Sequence, residues 1–212
     1  MVSDKSVLTR KEREFIKRGE DILETSIRLF KEYGPASVSM DQIAVELGVA
    51  RGTLYLHFKG KDELMIRIVL NRHIQLLKEF EKMDLTLSSK ELAKETIRIY
   101  LKHNLDSLDD YLLQKKCEEL IQYSNASDTI LNEIEDEKQK RISFIEKIFN
   151  KAKEEKIIKE IPNYLLIGAT WGMLKGALDV YASGMFKKEI PDEEIFFHLV
   201  ENLLFNGLLV KE

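Results

Sequence analysis

Apolar side chains recur along this chain at helical spacings, as in Ile22 and Leu29, seven residues apart, or in Ile195, Leu199 and Leu203, four apart. No stretch shows the apolar/polar alternation of a half-buried strand, and no Asn-Gly or Asp-Gly pair marks a hairpin. The residues that break helices are confined to the ends. Gly19, Gly34, Pro35, Gly48, Gly52 and Gly60 precede Lys61; Pro162, Gly168, Gly172, Gly176, Gly184, Pro191 and Gly207 follow Ile161; between these limits there is neither glycine nor proline. Such a span, rich in Leu, Ile, Lys and Glu, reads as helix after helix. The pattern predicts an all-α fold of nine helices, over about 10–33, 40–47, 51–58, 61–83, 88–105, 109–124, 127–156, 163–185 and 192–210.

The second and third helices carry the most specific signals. Ser39 and Gln42 have the spacing of a capping box, and Val38 and Ile43 that of a hydrophobic staple. Gly48 stands where a left-handed residue ends a helix, with only Val49 and Ala50 before the next one begins. Helices joined so tightly must cross steeply over a small residue, here Ala44, with Ile43, Leu47, Val49, Leu54 and Phe58 as shared core and Ile22, Leu29 and Phe30 covering them. Ala44, Gly48 and Leu54 have helix-turn-helix spacing.

If Leu54 and Phe58 point inward, a turn of about 100° per residue leaves Gly52, Thr53, Tyr55 and Leu56 outward. Gly52 permits close approach to a groove, and Arg51 can reach a guanine edge or a phosphate. Thr53 can bond either, and Leu56 suits a thymine methyl. Tyr55, His57 and Lys61 flank that face with groups suited to phosphates. Ser39 and Lys61 each open a helix whose free N–H groups favour an anion. The competing reading is a helical hairpin inside a larger bundle, with Tyr55 and His57 as ordinary surface.

Charge sharpens this picture. The 212-residue chain has a formal charge of −4, yet residues 1–78 hold 14 basic and 11 acidic side chains, a balance of +3, leaving −7 for the rest. The first part can face a polyanion while the remainder keeps the molecule soluble. One cysteine, Cys117, excludes an internal disulfide and reads as a small core hydrophobe. The longest weakly polar run, Tyr164–Leu174, is too short to span a bilayer, and the charged N-terminus lacks a signal-peptide pattern; a cytoplasmic protein is expected.

The stretch Ile22–Leu64, with L-F-K-E-Y-G, then I-A-V-E-L-G-V-A-R-G-T-L-Y-L-H-F, then K-G-K-D-E-L, closely resembles the TetR/AcrR family of bacterial transcriptional regulators. The resemblance implies a DNA-binding head (residues 1–60), a helical ligand-binding and dimerisation body (61–212), and a homodimer that represses nearby genes until a small molecule binds. It also implies that the residues matching Ser39, Arg51, Gly52, Thr53, Tyr55, Leu56, His57 and Lys61 contact double-stranded DNA at a palindromic operator. Thr25 and Ser26 depart from the paired alanines common in the family's first helix, and Arg51 and Leu56 occupy positions that vary with operator sequence.

In the body, Gly168, Gly172 and Gly176 form one stripe on the eighth helix. Interior glycines each cost roughly 0.5–1 kcal/mol relative to alanine, so three in line suggest close approach of another helix or room for a ligand. The ninth helix is apolar over much of its surface, including Ile195, Leu199 and Leu203, with Gly207 near its end. The pair reads as half of a four-helix dimer interface, or else as two helices buried in one subunit. Isolated polar and aromatic residues that could line a pocket are His73, Tyr100, His103, Cys117, Tyr123, Phe144, Trp171 and Lys175, with Trp171 beside the glycine stripe. The ligand expected for such a cavity is largely apolar. No hydrolase, zinc-protease or phosphate-loop motif is present, His57, His73, His103 and His198 are dispersed, and no cofactor, metal site or catalysis is expected. Two other readings remain open: a same-fold activator or protein-partnered DNA binder, and a ligand-binding module without DNA binding.

Overall fold

The computed structural model describes residues 8–186, 188–190 and 192–208. Among them are nine α-helices and no strand: α1 (Arg10–Tyr33), α2 (Met40–Leu47), α3 (Arg51–Tyr55), α4 (Lys61–Phe80), α5 (Ser89–Leu105), α6 (Leu108–Leu120), α7 (Asp128–Glu154), α8 (Asn163–Ala182) and α9 (Glu193–Leu208). None is long and apolar enough to cross a membrane. The helices divide into two compact units. One comprises the described residues of Met1–Asn71 with Leu113–Glu133, the other those of Arg72–Leu112 with Ile134–Glu212.

The first unit is built on the residues whose spacing predicts burial. Ile22, Leu29 and Phe30 of α1, Ile43 and Ala44 of α2, Leu54 of α3 and Phe58 form one core with Val38, joined by Leu64, Met65, Ile68 and Val69 of α4. Leu113 and Cys117 of α6 close it. Burial pushes the Cys117 thiol up to about 12, so it is an inert packing group. Ser26, at one of the two positions that depart from the family pattern, is fully buried and donates its hydroxyl to Ile22 O at 2.7 Å. Its polarity is thereby satisfied inside the helix.

The start of α4 organises the rest of this unit. Asp62 accepts hydrogen bonds from Gln122 N (3.1 Å) and Asn125 Nδ2 (2.8 Å). Glu63 accepts from Lys59 N (2.6 Å) and Ser127 N (2.8 Å). Burial would raise the Glu63 pKa, but the bonds from Ser127 and Lys59 outweigh it and hold the carboxyl below its ordinary value. These carboxylates explain why α6 stops at Leu120 rather than near Ser124. They offer the backbone beyond it other partners, and the chain turns through a short 3-10 segment at Tyr123–Asn125.

In the second unit α5, α7, α8 and α9 pack with the end of α4. Leu76, Leu77 and Phe80 meet Leu92, Tyr100, Phe144, Ile148, Leu174, Leu178, Phe197, Val200 and Leu204. A smaller cluster of Phe149, Ala152, Ile158 and Leu166 lies beside them. Helix ends are shorter than the periodicity suggests: α4 ends at Phe80, α8 at Ala182. The expected end of the ninth helix near Val210 falls outside the described residues. α7 ends at Glu154 because Lys156 adopts φ 56° and lets Ile157 N bond back to Ala152 O at 2.9 Å, carrying Ile158 into the small cluster. A lysine does here what glycine usually does. Lys156→Gly is therefore expected to raise stability by about 1 kcal/mol, read as a higher urea midpoint.

Candidate nucleic-acid interface

The α2–α3 corner forms as its sequence signals require. Ser39 Oγ accepts from Gln42 N at 3.2 Å, and the Gln42 side chain accepts from Ser39 N at 2.8 Å. Gly48 takes φ 65° and ψ 32°, its N–H bonding back to Ala44 O and Val45 O. This left-handed residue is disfavoured for any side chain with a Cβ, and it lets α3 begin with only Val49 and Ala50 between. α3 is one turn and a half rather than reaching Phe58. His57 N and Phe58 N both bond to Leu54 O, which tightens the end of the helix into a turn.

Leu54 is wholly buried, and its neighbours face the other way: Arg51, Gly52, Tyr55 and Leu56 are exposed, Leu56 by 73%, with Thr53 half-buried between them. A Cβ at Gly52 would meet no atom within 4 Å, so packing does not demand a glycine there. What the glycine provides is a low surface. Val45 of α2, 80% exposed, adds a second outward apolar group that the sequence pattern had not singled out.

The polar groups of this face are already organised. Arg51 lies between Asp41, with Nε 3.0 Å from Oδ1, and Tyr55, whose hydroxyl accepts from Nη2 at 3.2 Å and whose ring centroid is 5.4 Å from the guanidinium carbon. The Tyr55 bond and the Asp41 charge raise the Arg51 pKa further. His57 stacks on Phe15 of α1, ring centroids 4.0 Å apart, and a Cβ on Gly19 would come within 3.3 Å of its Nδ1. Burial, with the charge of Arg18, lowers the His57 pKa, so near neutral pH it offers a neutral ring. The sequence pattern does not point to Phe15, because the first turns of α1 are exposed and carry no apolar periodicity of their own. Lys61 turns inward. Its ammonium donates to Pro35 O (2.9 Å), Ala36 O (3.3 Å) and Val38 O (3.0 Å). It fixes the loop that leads to Ser39, and its three donors are engaged there rather than held out to a phosphate.

The residues singled out as pocket candidates are dispersed. A cavity of about 100 Å³ in the second unit is walled by α5, α7, α8 and α9, and of those candidates Tyr100 and Trp171 line it, their rings 4.9 Å apart. Most of the wall is aliphatic: Ala93, Ile97, Ile145, Ile148, Ile157, Ile158, Ile167 and Leu174 among others. Phe144 packs behind it, stacked on Phe80 at 5.6 Å. Cys117 and Tyr123 belong to the first unit, Cys117 in its core and Tyr123 exposed. His103 Nδ1 lies 3.2 Å from Glu79 Oε1.

His73 lies 3.8 Å from buried Glu137, which also meets Arg141 at 3.5 Å, and Arg141 in turn sits over Trp171 at 5.5 Å. Burial, then the charges of Arg141, Lys175 and Arg72, lower the His73 pKa to about 3. The ring is neutral and the contact with Glu137 is not an ion pair.

An all-helical chain whose first unit presents a crossed helix pair with a low, partly apolar outer edge is a helix-turn-helix protein. Residues 22–68 match the family model described as bacterial regulatory proteins, tetR family. Over 95 residues the chain is 35% identical to the HTH-type transcriptional regulator SAB2452 of Staphylococcus aureus (strain bovine RF122 / ET3-1), covering 43% of this chain and 50% of that protein. The match thus spans about half the length of that relative. Among solved structures, a bacterial regulatory protein in the tetR family from Rhodococcus RHA1 superposes with a TM-score of 0.67 at 17% identity, covering 92% of this chain and 99% of its own. A SmeT–triclosan complex does so with 0.64 at 18% identity, covering 92% and 93%. At these identities the solved structures establish the common fold. The chain thus carries, over residues 22–68, a helix-turn-helix domain of the tetR type, and over most of its length it shares the fold of solved tetR-family proteins.

The neutral state of His73 has a consequence for stability. Its folded pKa lies below its unfolded value, so the unfolded chain binds the extra proton as pH falls below about 6.5, and stability is lost progressively toward pH 3. Between pH 7 and pH 5 this group should remove about 2 kcal/mol. Urea unfolding at a series of pH values checks it: His73→Gln should flatten the dependence in that window.

Proposed function

We propose that the protein is a homodimeric transcriptional repressor whose two helix-turn-helix units bind a palindromic duplex and whose second unit takes up a small, largely apolar molecule that releases it. The observation that carries this reading is the edge of α3, where Gly52 and Leu56 stand open to solvent and Leu54 is completely buried. A leucine is costly in water but suits a base edge, and a glycine lets the backbone approach a groove. Arg51, Thr53 and Tyr55 supply hydrogen-bonding groups along the same edge. Ser39, His57 and Lys61 act beside it: the first two can reach phosphates, and Lys61 holds the preceding loop in place while adding positive charge.

The dimer reading rests on a second open face. Ile195, Leu199 and Leu203 of α9 follow one another at four-residue intervals and are exposed by 69%, 55% and 56%. On α8, Gly168, Gly172 and Gly176 are exposed as well, and a Cβ at any of them, or at Gly207 of α9, would meet nothing within 4 Å. Glycines that no neighbour in their own chain requires allow a helix of a second copy to come close. Two linked heads then gain effective concentration at a palindrome. The SmeT–triclosan complex is a structure of this fold with a small molecule, and the apolar cavity of the second unit is the place for one here. Release requires that the ligand bind the arrangement unable to hold DNA more tightly than the arrangement that holds it. α4, which contributes residues 61–71 to the first unit and 72–80 to the second, is the continuous element able to transmit the change.

Duplexes selected from a random-sequence library should converge on a palindrome and give a mobility shift that weakens steeply with salt. Gly52→Leu separates folding from binding. With open space around it the variant should be as stable as the parent, or more so by roughly 0.5–1 kcal/mol, while losing at least a hundredfold in DNA affinity. Failure to select any duplex at low salt would overturn the DNA-binding reading. For the dimer, Leu199→Asp should sediment as a folded monomer where the parent sediments as a dimer, and should bind the selected palindrome at least tenfold more weakly.

A further inference from the structure

The cavity and the open face are two sides of the same helices. On α8, Ile167, Thr170, Trp171 and Leu174 line the cavity, whereas Gly168, Gly172 and Met173 are exposed on the other side. On α9, Leu204 and Phe205 line it and Leu203 is exposed. The face is therefore backed, one helix thickness away, by about 100 Å³ of cavity instead of packed atoms. Lining groups that lack neighbours on one side lose dispersion contacts and the restraint those contacts give.

The wall also states what it would accept. Three of its hydroxyls are already committed: Ser89 Oγ donates to Glu155 Oε2 (2.5 Å), Thr96 Oγ1 to Leu92 O (2.8 Å) and Thr170 Oγ1 to Leu166 O (2.7 Å). They leave aliphatic carbon and the rings of Phe80, Tyr100, Phe149, Trp171 and Phe205 to meet a guest, with Lys90, an exposed residue, as the one charged residue of the wall. An apolar cavity of about 150 Å³ holds benzene in a well-studied case, so the smaller volume here, about 100 Å³, limits a guest to one aromatic ring or a short hydrocarbon.

We infer that this cavity binds a neutral guest the size of a single aromatic ring, and that occupancy strengthens association through the α8–α9 face. The inference rests on the dimer and ligand reading above and deepens it: the guest restrains α8 against α9, and a second copy requires the same restraint. Whichever binds first meets part of the ordering cost of the other, which is positive coupling. The coupling is reciprocal. A factor by which dimerisation raises guest affinity per subunit must appear squared in the dimer dissociation constant, since each dimer has two cavities.

Trp171 is the chain's one tryptophan and lies in the wall, so it reports occupancy directly. Toluene is the probe, titrated against Trp171 emission, with self-association measured by sedimentation equilibrium in the same buffer. The expected result is a saturable change in emission and toluene binding at least threefold tighter in the dimer than in the Leu199→Asp monomer. Saturating toluene should lower the dissociation constant of the parent dimer by the square of that factor, at least ninefold. Ala93→Leu, which fills the cavity, should abolish the emission change and tighten the dimer without toluene. Should that variant fail to fold, the parent and Leu199→Asp carry the comparison by themselves. No saturable emission change in the parent overturns the site. Equal toluene affinity in the dimer and the monomeric variant, with an unaltered dimer constant, overturns the coupling. A parent that dimerises and shifts DNA yet ignores toluene sinks this inference alone; a parent that is monomeric at every concentration sinks the dimer reading and the inference with it.

Discussion

Everything presented by the first unit depends on the complete burial of Leu54. α3 is too short to hold itself in water, where an isolated helix of one or two turns does not persist. Its orientation is set by one side chain driven into the core between α1, α2 and α4, and by the left-handed Gly48 that brings the chain round to place it there. Once Leu54 is inward, the geometry of a helix leaves no choice about Gly52 and Leu56. The exposed leucine is the counterpart of the buried one.

The first three residues of α4 carry the second layer of organisation. Lys61, Asp62 and Glu63 reach, respectively, the loop after α1, the turn after α6, and the backbone at Lys59 and Ser127. Segments more than sixty residues away in sequence are thus tied to a single helix start. Negative side chains also suit the amino end of a helix, so the same two carboxylates serve α4 itself and the chain they hold.

Much of the first unit is legible in the sequence because its determinants are local. Ser39 with Gln42, Val38 with Ile43, and Gly48 each act within a few residues, and the inward side of α3 follows from Leu54 and Phe58. The inward turn of Lys61 is not legible, since its partners are backbone carbonyls that any sequence would supply. Phe15 against His57 is hidden for a similar reason: only folding brings the two rings together. In the second unit the helices could be read but the cavity could not. Aliphatic residues such as Ala93, Ile148 and Ile157 look like core in the sequence, and what makes them a wall is the space their packing leaves. The polar residues that attract attention, His73 and His103, are instead drawn into contacts with Glu137 and Glu79. Lys156 hid a helix end because the backbone conformation, not the residue type, closes α7.

The contact between Arg51 and Asp41 has a bearing on discrimination among duplexes. A guanidinium approaching nucleic acid from this edge does not come from bulk water; it leaves a carboxylate and a phenol. The pair is more than half exposed and so weakly held, and a guanine's two acceptors would replace both of its contacts at once. Left behind, the carboxylate would face the polyanion and oppose it. On the proposed DNA-binding reading, an arbitrary stretch of duplex would meet an arginine already paired with Asp41, and a matching base would have to displace that contact.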